Sequence, residues 1–539
     1  MRSIAVVDCE TDPFRIGRIP VPFLWGYYNG EVYKQFESTK AFAAFLRKQN
    51  VIAYAHNGGR FDWHFLLHEL EPYDDVMIIN GRIAKCYIGM CECRDSYNIL
   101  PVPLSAYKKD AIDYDIMERG ERHKPHNWKK ICAYLRSDCV YLYELVSGFI
   151  SIYGLQITQA SAAMSQWKKL SGNKVPQSTQ EYYNLFAPYY YGGRVECFDS
   201  GIIEKEFEVI DINSAYPFAM MQEHPYGTEY SHVDGYEKGA DFYRVRCISN
   251  GAFPFRGLGS PEESAGLRFP ADDVERDYTI TGWEFDAAKD TKTIRNVKVL
   301  ESYSFMSRMD FRQYIEHFYK MRLEAKAKGN EAESLFAKLL MNSLYGKFSS
   351  NPATYKQYMI VPIDVISGLE DHGWEFGGEF GPWGLAQAPL DEGQQRFYNV
   401  ATGASITGFV RAMLWRAICD SKGVLYCDTD SIATERKGNS LVLGDRLGEW
   451  KLEGRFDKAG IGGKKLYIFR GVKDGKGKRI IKTASKGARL SEAELWQVAK
   501  GTNILFRSDA PTFSTSAKPR FVERNIKNTA PRKVNHAKT

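Results

Sequence analysis

Leu425-Tyr426-Cys427-Asp428-Thr429-Asp430-Ser431 decides the reading of this chain. An apolar run beginning at Val424 delivers two aspartates two positions apart, a spacing that puts both carboxylates on one side of an extended strand. Upstream, Val209-Ile210-Asp211-Ile212-Asn213-Ser214-Ala215-Tyr216-Pro217 uses the same device: a strand-like stretch, Glu206–Ile212, carries Asp211 and turns at Pro217. Between the two lies Lys338-Leu-Leu-Met-Asn342-Ser-Leu-Tyr345-Gly-Lys347. At helical spacing Lys338, Asn342 and Tyr345 are i, i+4 and i+7 and share one face. Two helices are predicted there, Gln313–Lys328 and Glu331–Phe348, separated by the helix-stop pair Gly329-Asn330. Arg322 and Lys326 fall on one face of the first.

This pattern suits in-line displacement at phosphorus. Two metal ions about 3.5–4 Å apart activate the attacking oxygen and neutralise the leaving group. Mg²⁺ takes hard oxygen ligands and keeps several waters, so carboxylates from two strands plus phosphate oxygens suffice, and Mn²⁺ accepts the same ligands. Arg322, Lys326 and Lys338 supply cations for a polyphosphate.

A second acid set occupies the first 150 residues, where strand-like runs (Ile4–Val7, Val51–Ala55) alternate with helix-like ones (Ala41–Arg47, Trp63–Leu70), the pattern of an α/β domain. Asp8 and Glu10 leave the first strand two residues apart. His56-Asn57-Gly-Gly-Arg-Phe-Asp62 follows the Val51–Ala55 run, and Tyr134 and Asp138 are i, i+4 on a helix. Asp8, Glu10, Asp62 and Asp138 together have the ligands for two metals, with Tyr134 placed to orient an attacking water.

The rest of the sequence sets bounds. A chain of 539 residues implies three or four domains. With 44% hydrophobic and 26% charged residues and a mean hydropathy of −0.40, the composition is globular, and no run long enough for a membrane span exists. The N-terminus runs directly into a strand, leaving no room for a signal peptide. The ten cysteines include Cys86, Cys91 and Cys93 without zinc-site spacing, so they read as reduced thiols of a cytoplasmic protein. Net charge is +6; from Ser516 onward seven Lys/Arg (Lys518, Arg520, Arg524, Lys527, Arg532, Lys533, Lys538) face one acid, Glu523, which suits a polyanionic partner. The polar stretch from Tyr153 to Pro188, broken by Gly172, Pro176 and Pro188, reads as a linker.

In combination and order, the three C-terminal segments resemble the DxxSLYP, KxxxNSxYG and YxDTDS motifs of family B DNA polymerases, in particular the small protein-primed polymerases of tailed phages and linear plasmids. Ala215 stands where that family usually has Leu. The resemblance implies a ribonuclease-H-like 3′–5′ exonuclease domain (1–150), a linker (151–189), a right-hand palm and fingers (190–489) and a thumb with a basic tail (490–539). It implies that Asp211 and Asp430, with Asp428 beside them, form the polymerising centre. Tyr216, Ser214, Arg322, Lys326, Lys338, Asn342 and Tyr345 would bind the deoxynucleoside triphosphate, Tyr216 rejecting a 2′ hydroxyl. Primer-template DNA would meet the YxGG loop (Tyr190, Gly192, Gly193), the TxxxR helix (Thr407, Arg411) and the KxY element (Lys465, Tyr467). The N-terminal acids match the DxE, Nx(3–4)D and YxxxD exonuclease motifs, with Asn57 and Ser96 on the single strand.

Asp211 and Lys338 are 127 positions apart, and Lys338 and Asp428 are 90 apart, more than a minimal palm and fingers need. The family's protein-primed members carry an insertion in each interval. Here the room is 222–303, for terminal-protein binding, with the fingers at 304–350, and 351–396, for strand displacement and processivity. The second segment, rich in Gly, Pro and aromatics without a clear period, is expected as an irregular protruding arm. Its two cations against seven acids argue against a basic insertion for protein-free initiation, the rival within the family. A nuclease with an inactive polymerase body, or a single-strand binding protein, would not need all of Asp8, Glu10, Asp62, Asp138, Asp211, Asp428 and Asp430, yet each is present. The full expectation is a monomeric, viral, protein-primed, strand-displacing DNA polymerase with proofreading, binding two Mg²⁺ (or Mn²⁺) at each site and acting in the host cytoplasm.

Overall fold

The computed structural model describes residues 2–172, 175, 177–257, 266–473, 479–515 and 517–530. Near the N-terminus, Ser3–Thr11 runs parallel to Val51–Ala55, which runs parallel to Cys91–Asp95; Pro22–Tyr28 flanks Ser3–Thr11 antiparallel. Every residue of Val51–Ala55 is buried, because a parallel strand covered on both faces needs a continuous apolar run. The helix Pro125–Tyr153 packs on Ser3–Thr11 and buries Ile131, Leu135, Leu142, Val146 and Phe149 at helical spacing. This packing carries Tyr134 and Asp138 to the strand that bears Asp8 and Glu10.

The predicted linker is corrected. Thr158 caps a helix at Gln159–Ser171 and Thr179 caps another at Gln180–Phe186. Ala162, Ala163 and Trp167 bury one face of the first, and the Trp167 ring lies 5.7 Å from both Phe311 and Phe348. The stretch is packed on the helices that follow it, not a free linker; its polar outer face hid the apolar stripe. Pro176, one of the expected breakers, lies outside the described residues.

The second large sheet is antiparallel and centres on Phe207–Ile212, held between Ser431–Arg436 and Trp450–Gly463. The helices Arg312–Ala327 and Glu331–Phe348 pack together as expected, with Gly329 (φ 67°) and the Asn330 cap making the turn. The described residues of 222–303 contribute to a four-stranded antiparallel sheet, a two-stranded ribbon of Phe255–Arg256 with Leu267–Arg268, and the helix Gly282–Asp290; residues 258–265 lie outside the described ones.

The expectation of an irregular arm at 351–396 is also corrected. Lys356–Val361, Glu375–Phe380 and Trp383–Pro389 form a meander. It joins the N-terminal sheet through Tyr358 opposite Val76, making ten strands. Ile360, Phe380 and Leu385 belong to the N-terminal core, and Trp383 Nε1 donates to the Leu70 carbonyl at 3.1 Å. The segment is a sheet extension docked on its neighbour.

The basic end is not a free tail where it is described. Ile504–Ser514 and Ala517–Ile526 form a hairpin that carries Lys518, Arg520 and Arg524, with Lys527 just after it. Arg532, Lys533 and Lys538 lie outside the described residues. Phe513 packs edge-on against Phe61 (5.6 Å) and Phe65 (5.4 Å) of the N-terminal domain. Lys518 Nζ lies 3.6 Å from Glu379 of the 351–396 meander. Among the described residues no helix is long and apolar enough to cross a membrane.

Candidate active sites

The second large sheet brings Asp211 and Asp430 together. Asp211 sits near the end of Phe207–Ile212 opposite Ser431, and the Ile212 amide donates to the Asp430 carbonyl at 2.8 Å. Burial, then Asp430 and Glu453, push the Asp211 carboxyl up to about 7. Burial, then Asp428, push Asp430 up to about 6. Two carboxyls whose charged forms are disfavoured by burial and by nearby acids suit a metal, which would restore both to the charged form.

Asp428 is placed differently from the extended-strand expectation. The strand ends at Asp428, and Thr429 turns the chain with φ 61°. Both Asp428 oxygens accept from Lys465 Nζ at 2.8 Å, so its charge is already matched. Gly193 lies against this turn: a Cβ there would meet Thr429 Cγ2 at 2.7 Å, so the loop requires glycine. The Thr429 amide donates to the Arg194 carbonyl at 2.6 Å, tying the loop to the aspartates.

Tyr216 and Tyr345 stack with ring centroids 4.5 Å apart and planes 9° from parallel. Ser214 precedes them in a left-handed turn (φ 53°) that starts the helix Ala215–Met220. Lys338 and Asn342 are exposed beside Tyr345, with Asn342 Nδ2 donating to the Lys338 carbonyl. Arg322, then Lys451 and Lys338, hold Lys326 below its ordinary range, so four cations face one region. Sequence reasoning missed Lys451 and Glu453. Both lie on the strand Trp450–Gly463, Lys451 directly opposite Asp211, and Glu453 pairs with Lys482.

Several expected DNA contacts are buried. Thr407 and Arg411 are each 2% exposed. Arg411 pairs with Glu284 at 2.7 Å and donates to the carbonyls of Tyr191 (2.5 Å) and Gly192 (3.1 Å). It shapes the Tyr190–Gly193 loop from behind, while Tyr190 is half-buried and Gly192 exposed. Tyr467 is also largely buried, stacked on Phe469 at 4.3 Å. A cavity of about 310 Å³ between the loop and the KxY element is lined by Gly193, Lys464, Lys465 and Lys486. That cavity, rather than the Tyr467 ring, is the open part of the element.

In the N-terminal domain Asp8, Glu10, Asp138 and Tyr134 line a cavity of about 490 Å³, with Lys109 and Tyr114 opposite. Asp62 lies behind it, bonded to Cys9. Burial, then Asp62, Asp138 and Glu10, hold Asp8 well above the carboxylate range. Burial and Asp138 push Glu10 up to about 8, and burial raises Asp62 to about 7. Asp138 is also raised by burial, against Lys109 at 3.5 Å. Asp62 Oδ1 and Asp138 Oδ1 are buried without any hydrogen-bond partner, and burial raises the Tyr134 hydroxyl, which bonds Tyr114 at 3.1 Å. Among the described residues no three such groups stand as a ready metal shell. The unpartnered acid oxygens nevertheless suit Mg²⁺, which keeps water and substrate oxygens as ligands.

Asn57 is half-buried with φ 64°, its side-chain oxygen accepting from Arg82 at 2.8 Å. Ser96 is fully buried, bonded to the His56 ring and the Ala55 carbonyl, so it holds the loop rather than touching a strand. Lys109, Tyr114 and Arg82 lie in segments without periodicity, and no sequence signal marked them.

Known proteins resemble this chain over nearly all its length. The sequence profile of type B DNA polymerases, organellar and viral, matches residues 102–373. The DNA-directed DNA polymerase of Enterobacteria phage PRD1 is 34% identical, with 98% of each chain covered. The DNA polymerase of Bacillus phage phi29 is 24% identical over 82% of this chain and 83% of its own. The solved structure of phi29 DNA polymerase complexed with primer-template DNA and incoming nucleotide substrates superposes with a TM-score of 0.75 at 19% identity, covering 98% of this chain and all of that one. The exonuclease and palm, fingers and thumb architecture is the shared fold.

Proposed function

This chain belongs to the type B DNA polymerases of organelles and viruses and is a DNA-directed DNA polymerase, and we propose that Asp211 and Asp430 form its polymerising centre while Asp8, Glu10, Asp62 and Asp138 form a 3′–5′ proofreading exonuclease. Synthesis starts from the hydroxyl of a terminal protein and displaces the strand ahead, as suits the replication of a linear viral genome by a monomer. One observation supports the polymerising centre above the others: two acids with raised pKa values, one near the end of Phe207–Ile212 and one in the turn after Lys422–Asp428, meet beside the Tyr216–Tyr345 stack and the cations Arg322, Lys326, Lys338 and Lys451.

DNA polymerases depend on divalent metal, and two Mg²⁺ (or Mn²⁺) bound at each centre would supply the charge that activates an attacking oxygen and stabilises a leaving one. Asp211 and Asp430 would hold them at one centre, and Asp8, Glu10, Asp62 and Asp138 at the other. Arg322, Lys326, Lys338 and Lys451 receive the triphosphate. The Tyr216 ring, fixed by Tyr345, fills the space a 2′ hydroxyl needs. Lys465 keeps Asp428 neutralised beside the primer end. In the N-terminal cavity Tyr134 orients the attacking water next to Asp138.

The test is primer extension and 3′-end degradation by the purified chain. Initiation on blunt linear DNA, with and without a candidate terminal protein, separates the protein-primed reading from its rival. Full initiation without any protein primer would replace that part of the proposal.

A further inference from the structure

The cavity of the N-terminal acids has a wall from the far end of the chain: Arg489 and Asp509 line it together with Asp8, Glu10 and Asp138. At about 490 Å³ it has the size of an ordinary ligand site, room for one nucleotide unit. Its floor is acidic, and the acids would be occupied by metal on the scissile phosphate. The next phosphate along the strand needs a cation of its own. Three cations line the cavity. Lys109 is paired with Asp138 at 3.5 Å, and Arg15 with Asp115 at 2.6 Å and Glu118 at 3.3 Å. Arg489 is exposed and, among the described residues, has no carboxylate within ion-pair distance, Asp509 included.

Its backbone is fixed. The preceding residue, Ala488, is 1% exposed in a core with Leu466, Ile468 and Leu495, and its amide donates to Ser485 at 2.8 Å. The wall is registered on the acids because Phe513 of the same C-terminal unit packs on Phe61, the neighbour of Asp62.

We propose that Arg489 is a positioning residue of the exonuclease, gripping the phosphate next to the scissile one in a single-stranded 3′ end. A guanidinium suits this, since its planar fork meets phosphate oxygens in pairs. The C-terminal unit thereby completes the degrading site, so proofreading requires it to stay docked on the N-terminal domain. The proposal rests on the exonuclease reading.

The experiment compares the parent, Arg489→Ala and Arg489→Lys on a single-stranded oligonucleotide with Mg²⁺. Arg489→Ala should raise KM about tenfold with kcat nearly kept, the scale of one lost charge-assisted contact. The slope of log affinity against log salt should flatten by about 0.7. Arg489→Lys should recover most of the salt slope, and extension of a matched primer should not change. If the parent itself does not degrade single strands, the exonuclease reading fails. If the parent degrades them and Arg489→Ala leaves KM and slope unmoved, or weakens extension equally, only the assignment of Arg489 is overturned.

Discussion

The two acid centres solve the same chemical problem at different depths. At Asp8, Glu10, Asp62 and Asp138 four carboxyls crowd under a long helix, with Lys109, among the described residues, the one base ion-paired to the set. At Asp211 and Asp430 there are two, less enclosed, and lysines stand around them: Lys451 opposite Asp211, Lys482 on Glu453 and Lys465 on Asp428. The palm balances much of its negative charge with its own side chains, so what it lacks is the triphosphate and its ions. The N-terminal cluster, short of cations, holds protons that metal would displace.

The largest effects come from removing either set. Asp430→Ala should lower nucleotide incorporation by on the order of 10³-fold or more, the scale of losing a group that acts in the transition state, and leave degradation of single-stranded 3′ ends intact. Asp8→Ala should do the reverse. Robust extension by Asp430→Ala would break the comparison, because the two centres would then not be separable.

Next in size is the effect of pH on the metal-free chain. Carboxyls raised to about 8 at Glu10 and about 7 at Asp62 and Asp211 keep protons that the unfolded chain has released above about pH 4. The native state therefore binds more protons, and its stability falls as pH rises from about 4 through those raised values. With chelator present, Tm should drop between about pH 5 and about pH 8, and saturating Mg²⁺ should offset the drop. Asp8→Asn should remove more of that slope than Asp211→Asn. Equal reductions would mean the depths do not differ in energy.

The N-terminal acids could be grouped from local spacing, two positions on a strand for Asp8 and Glu10 and four on a helix for Tyr134 and Asp138. The same two-position spacing misplaced Asp428, because the strand stops there and Thr429 turns the chain. Burial around the acids was not legible. The helix Val400–Asp420 is buried nearly all round, polar Thr402, Ser405 and Thr407 included, so no amphipathic face told that Arg411 points inward. The strands of 351–396 were hidden by Gly377, Gly378, Gly381 and Gly384, which break the alternation. Their pairing partner, Asp75–Ile79, lies far away in the sequence. The Lys451 and Glu453 positions sit on a bulged strand opposite Asp211, a register that only the folded sheet defines.

Sugar choice at the shallower centre gives an intermediate effect. Tyr216→Val removes the ring held by Tyr345, and the ratio of ribonucleotide to deoxynucleotide incorporation should rise by about 10–100-fold, the range of a steric pocket contact. Single-nucleotide insertion kinetics measure it. An unmoved ratio would reassign Tyr216 to packing alone.

The smallest expected effect lies where the halves of the molecule meet. Lys518 on the C-terminal hairpin and Glu379 on the 351–396 meander are 3.6 Å apart, with side chains 85% and 52% exposed. An exposed pair of this kind contributes about 0.2–1 kcal/mol, and salt screens it. Because the meander is anchored in the N-terminal core by Ile360, Phe380 and Leu385, this contact links hairpin and meander without holding either folded. If the pair closes the path that DNA takes, Lys518→Glu should shorten the product made per binding event by at most about fivefold at low salt. Adding Glu379→Lys should restore the length, with Tm and single-strand degradation unchanged throughout. High salt should erase the difference between parent and variant. A charge reversal that leaves product length unchanged at low salt would place this contact outside the DNA path, and the packing of Phe513 on Phe61 and Phe65 would then carry the docking that proofreading needs.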